Sequence, residues 1–80
     1  MIARVTVTPR RDVLDPQGEA VALGLRRLGF GETGEVRVGK YIEVRLEGVS
    51  REEAQAKVRD MCERLLANTL IEEYRFEIGE

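Results

Sequence analysis

The carboxylates stand in pairs at Asp12/Asp15, Glu52/Glu53 and Glu72/Glu73. General acid–base work needs one carboxyl held neutral by burial beside another left ionised. Glu52 and Glu53 follow Ser50 in the pattern of a helix cap, and Glu72 opens an alternating stretch. Both pairs are therefore expected at a solvated surface. Asp15 lies before Pro16, the arrangement of a helix N-cap rather than of a catalytic acid. Cys62 is the one thiol, and the chain has no histidine. Ser-His-Asp and Cys-His catalysis are excluded, as is any zinc site built on imidazole. With no base to activate it, Cys62 reads as a buried structural thiol. A single thiol also excludes an intrachain disulfide.

Gly29-Phe30-Gly31-Glu32-Thr33-Gly34 spells G-x-G-x-x-G. A nucleotide fingerprint needs a strand before it and a helix after it. Here a helical pattern comes first and Glu32 sits inside the segment, so a loop is expected. Arg26, Arg27, Arg37 and Lys40 are scattered cations expected on a solvated face, with contact to an acidic partner as the alternative.

The chain has 80 residues, enough for one domain spanning 1–80. Burial on folding would contribute ~125 kcal/mol and ordering the chain would cost ~120 kcal/mol, so the two nearly cancel. With no disulfide or metal to help, regular packing and a partner subunit remain. Thirteen basic and fifteen acidic residues give a net charge of −2. That is no footprint for nucleic acid or an anionic membrane. No apolar run approaches the ~20 residues of a membrane span. Arg4, Arg10, Arg11 and Asp12 interrupt any signal-like stretch, so a cytoplasmic location is expected.

The elements that must position these groups follow from periodicity. Ala3, Val5 and Val7 alternate with Arg4, Thr6 and Thr8, a half-buried strand ended by Pro9. Asp15-Pro16 opens a first helix whose Val21, Leu25 and Leu28 form one stripe, expected to be buried. Gly29 is its left-handed stop. Gly18 in the first turn is a poor helix former and calls for another reason. Val36 and Val38 read as a short strand, Gly39-Lys40 as a tight turn, and Ile42, Val44 and Leu46 as the strand returning from it. Ser50-Arg51-Glu52-Glu53 is a capping box, with Val49 and Ala54 placed as a hydrophobic staple. The second helix is expected to reach Ala67 with Ala54, Val58, Met61, Cys62, Leu65 and Leu66 on its apolar face, and Asn68 as its stop. Tyr74, Phe76 and Ile78 form the last strand. The order β-α-β-β-α-β predicts an α+β fold, a ferredoxin-like four-stranded antiparallel sheet with two helices on one face. Thr69-Leu70-Ile71 falls outside these patterns, as packing at a helix-to-strand connection or as an interface.

The pattern itself has rivals. RNA-recognition domains of this order stack bases on aromatics of two central strands. The first strand here has none, and the third offers only Tyr41 at its edge. An acylphosphatase-like site needs a positioned asparagine, and Asn68 stands at a helix end. A small-ligand-binding regulatory module of ACT type stays open.

Three segments carry a resemblance: Val13-Leu14-Asp15-Pro16-Gln17-Gly18, Val36-Arg37-Val38-Gly39-Lys40-Tyr41, and Met61 to Tyr74 with Leu-Leu-Ala-Asn-Thr-Leu-Ile-Glu-Glu at its centre. Together they resemble the PurS family, the small subunit of phosphoribosylformylglycinamidine (FGAM) synthase. Leu70 stands where that family commonly has valine. The resemblance implies a part in de novo purine biosynthesis, in a complex that turns formylglycinamide ribonucleotide, glutamine and ATP into FGAM, glutamate, ADP and phosphate. It implies no catalytic residue and no cofactor in this subunit, with ATP and Mg handled elsewhere in the complex. The PurL synthetase and PurQ glutaminase are the implied partners, beside a second copy in an intertwined dimer or a dimer of dimers. It also implies subunit contacts at Asp15, Gln17, Arg37, Lys40, Tyr41, Asn68 and Thr69, and a close subunit or backbone contact as the reason for Gly18.

Overall fold

Ala3, Val5 and Val7 are fully buried, and the strand that carries them is the middle of the sheet. In the computed structural model, which describes residues 1–80, the elements are β1 (Ile2–Pro9), α1 (Pro16–Arg27), β2 (Lys40–Arg45), α2 (Arg51–Met61) and β3 (Glu72–Gly79). β1 pairs antiparallel with β2 on one side and β3 on the other, in the order β2-β1-β3. The register sets Val5 between Ile42 and Phe76, and Ala3 between Val44 and Ile78. This inner face packs against Val58, Cys62 and Ala67 on and just beyond the second helix. The Tyr74 and Phe76 rings stack at 6.5 Å, and the Arg59 guanidinium lies 5.7 Å from the Phe76 ring centre. The outer face is polar, with Tyr41, Thr6 and Arg75 in one cross-strand row and Glu43, Arg4 and Glu77 in the next.

The helix starts follow their sequence signals. Ser50 Oγ accepts from Glu53 N at 3.1 Å, and Glu53 Oε1 accepts from Ser50 N at 3.2 Å, completing the capping box. Gly29, at φ 103°, stops α1. No helix is long and apolar enough to cross a membrane.

The α+β, ferredoxin-like class stands, with local differences. The segment expected as a second strand, Val36–Val38, lies outside the sheet, and Gly39-Lys40 is no turn. A β-carbon at Gly39 would run into the Val7 carbonyl oxygen and come within 3.0 Å of Thr8 Cγ2. Gly39 is thus needed for close approach to β1, and the chain runs straight on into β2 instead of folding back on it. α-helical bonding in the second helix ends at Met61, and a π-turn follows over Cys62–Leu66, closed by Ala67 N to Cys62 O at 3.0 Å. The extra residue shifts the helical phase. Cys62 and Leu66 stay on the core side, while Leu65, expected on the apolar face, is 82 % exposed. Leu70 is 86 % exposed, so the 69–71 patch does not pack within the protomer.

The largest difference concerns α1. Its expected stripe is not buried: Val21 is exposed, Leu28 is 76 % exposed, and only Gly18 and Ala22 of the helix are buried. α1 makes only slight contact with the sheet and with α2. The molecule measures 49 × 26 × 14 Å with a radius of gyration of 16.0 Å, against ~12 Å for a compact chain of this length. Its accessible surface is 5916 Å², against ~4,900 Å² for a compact protein of this mass. Periodicity places an apolar face on a helix; it does not say which chain covers that face.

Candidate functional site

The start of α1 is where the candidate residues meet. Asp15 is the N-cap, its Oδ1 accepting from Gly18 N at 3.1 Å. Its Oδ2 accepts from Val38 N at 2.9 Å. The Val38 and Gly18 amides, with help from the nearby Arg37 guanidinium, hold the Asp15 carboxyl below its ordinary pKa of 3.8. Gly18 touches the same stretch of chain. A β-carbon there would run into the Val36 carbonyl oxygen and lie 2.6 Å from Asp15 Oδ2. The glycine in the first turn is therefore explained by a backbone approach within the protomer, not by helix propensity. Gln17 is exposed beside this junction.

Arg37 reaches from the same junction to the sheet, where its Nη2 lies 3.5 Å from Glu73 Oε1. Lys40 and Tyr41 continue onto β2 and are exposed, and the Tyr41 hydroxyl donates to Glu43 Oε2 at 2.8 Å. That bond raises the Tyr41 pKa above 10.0, since the carboxylate holds the proton on the phenol.

Asn68 and Thr69 belong to the turn before β3. The Asn68 carbonyl accepts from Ile71 N at 3.0 Å and Glu72 N at 2.7 Å, and its Oδ1 accepts from Leu70 N at 3.2 Å. The Arg10 guanidinium donates to the Thr69 carbonyl from Nη2 at 2.9 Å. Arg10 leads into the 10–15 loop and so ties this turn to the region of Asp15. The candidates form one junction, Asp15, Gln17 and Arg37, with Lys40 and Tyr41 beyond it on β2. Asn68 and Thr69 form a separate turn, held by a residue the sequence reading did not choose.

The whole chain matches a known family profile: PurS, phosphoribosylformylglycinamidine (FGAM) synthase, fits residues 2–80. The chain belongs to the PurS family. The FGAM synthase subunit PurS of Synechocystis is 51% identical over 75 residues, 94% of this chain and 75% of that protein. That of Bacillus subtilis is 46% identical over 77 residues, 96% of this chain and 90% of that one. The solved structure of B. subtilis PurS has a TM-score of 0.88 at 44% identity and covers 99% of this chain and 98% of that one. A chain in the structure of PurLQS from Thermotoga maritima has a TM-score of 0.82 at 32% identity, covering 96% of each chain. PurS of Methanocaldococcus jannaschii, with a TM-score of 0.86 at 32% identity, is described as a subunit of an amidotransferase of the purine biosynthetic pathway.

In this PurS-family chain the groups at the junction are suited to holding backbone in place. Asp15 spends both oxygens on amides, and Arg26 donates to the Thr33 and Gly34 carbonyls at 3.3 and 3.4 Å. Cys62 is enclosed by the core, where burial raises its pKa above 9.0, away from a nucleophilic thiolate. No group of three or more histidine, cysteine or carboxylate side chains is placed to hold a metal ion. Arg10, Arg26 and Gly39 do structural work that sequence reasoning missed. For the arginines no spacing signalled it; for Gly39 the signal was there, but it also fits a turn.

Proposed function

We propose that the chain is a non-catalytic assembly subunit of FGAM synthase. In this reading it associates with itself, bridges the PurL synthetase and the PurQ glutaminase, and helps to shelter ammonia on its way between them in the cytoplasm. It binds no cofactor itself, and ATP and Mg are used by the complex on its other subunits. The observation that carries the reading is α1: a helix whose apolar stripe points away from its own core, in a chain that matches PurS over residues 2–80. The surface in excess of a compact fold is ~1,000 Å² per chain, close to the ~800 Å² that each partner buries in a standard interface. Both outer strands of the sheet also have a free edge, so a second copy has backbone as well as side chains to meet. An intertwined dimer uses both features. Ammonia must be kept from water, because protonation removes its lone pair, and a subunit that closes an interface serves that end without reacting.

Solution mass tests the reading. The chain alone is expected at twice its mass or a multiple of it, and in one peak with PurL and PurQ when ATP and glutamine are present. A monomer that fails to join them would overturn it.

A further inference from the structure

The outer face of the sheet holds a recess that shares only Arg37 with the expected subunit contacts. Its volume is about 340 Å³, and its polar lining includes Thr6, Thr8, Arg11, Arg37, Glu73 and Arg75. The register sets Thr6 opposite Arg75 and Thr8 opposite Glu73, so the two hydroxyl residues and two of the charges project from neighbouring strands on one face. Three guanidinium groups face one carboxylate, an excess of two positive charges.

Arg37 is the odd member. Its side chain is only 21 % exposed, and its Nη2 is shielded from solvent with no hydrogen-bond acceptor. The nearest carboxylate oxygen, on Glu73, is 3.5 Å away, beyond the ~2.7–2.9 Å of a charge-assisted hydrogen bond. A buried donor without a partner is costly, and it leaves the Arg37 charge only loosely paired. Arg11 is as loosely paired, 3.9 Å from Glu35.

We propose that this recess binds a phosphate group. Arg37 and Arg75 supply guanidinium donors from two directions, Arg11 closes the rim, and Thr6 and Thr8 offer hydroxyls from the floor. Arginine suits the task because its planar fork matches phosphate oxygens in pairs. The dianion balances the two excess charges beside the loosely paired Arg37 guanidinium. Free phosphate and a phosphate monoester share this chemistry.

Titration calorimetry of the whole chain at constant ionic strength tests the proposal, with inorganic phosphate and AMP as the probes. Calorimetry is preferred to melting, because phosphate raises melting temperatures generally by exclusion from protein surfaces. One saturable site per chain is expected. Arg75→Ala and Arg11→Ala should each weaken it at least tenfold. Glu73→Gln should tighten it severalfold, a gain that misfolding cannot imitate. Tighter AMP than phosphate makes a monoester the ligand; the reverse makes it the free ion, and either supports the site. No saturable heat with either probe, or an affinity unchanged in Arg75→Ala and Glu73→Gln, would overturn it.

Discussion

The Asp15 carboxylate joins its own helix to Val38, 23 residues further along, through a 2.9 Å bond from the Val38 amide to Oδ2. Its other oxygen caps α1. One side chain therefore fixes both where the helix starts and where the 33–39 segment lies beside it.

Asp15→Asn tests that double duty. The two bonds use different carboxylate oxygens, and asparagine replaces one of them with an amide NH2 that cannot accept, so one of the two bonds is lost where it stands. The variant should melt below the wild type at neutral pH. Because the native carboxyl is held below 3.8 by these amides, its contribution is present above that pH and lost as pH falls through the native value. The gap in melting temperature between the two proteins should stay constant near neutrality and close in acid. A gap that persists unchanged in acid would contradict the assignment.

Two glycines of α1 should respond oppositely to the same change. Gly18→Ala drives a methyl group into the Val36 carbonyl, and a cost of about 1–3 kcal/mol is expected. Gly24 has nothing within 4 Å of its would-be β-carbon, so Gly24→Ala should stabilise by about 0.4–1 kcal/mol. Urea denaturation of both variants gives the comparison.

Cys62 should behave as core. A thiol reagent at mild alkaline pH is expected to leave the native chain unmodified and to label it once in denaturant. Cys62→Ser, which puts a hydroxyl where no acceptor is arranged, should cost about 1–3 kcal/mol. Turnover of the assembled complex should not change with it, since no chemistry is assigned to the thiol.

The stripe on α1 should govern self-association. Burying a large aliphatic side chain is worth about 1.5–3 kcal/mol, and 1.4 kcal/mol is tenfold in affinity. Leu28→Asp and Val21→Asp are therefore expected to weaken association roughly tenfold or more in sedimentation experiments, with unchanged circular dichroism.

What the sequence made legible is what depends on near neighbours. Alternation placed Val5, Ile42 and Phe76 on strands, and the register brought them side by side. Asp15-Pro16 and Ser50 to Glu53 located both helix starts to the residue. The failures involve distant or absent partners. Gly39 looked like a turn because a glycine is equally at home in a turn and against the Val7 carbonyl. Leu65 left the apolar face because a π-turn added one residue to the helical period. Val21 and Leu28 were correctly placed on one stripe, but the protomer does not cover it. At the candidate site, Asp15 was legible as a cap, while its bond to Val38 was not, since nothing in local pattern encodes a contact across 23 residues.

The claim that the chain assembles FGAM synthase without catalysing its reaction is tested most directly by reconstitution. FGAM formation is measured with PurL, PurQ, ATP and formylglycinamide ribonucleotide, using glutamine or ammonium as the nitrogen source, with and without this chain. The account predicts that omitting the chain abolishes most glutamine-dependent turnover and leaves ammonium-dependent turnover largely intact. Glutamine-dependent turnover that is the same with and without the chain would contradict it.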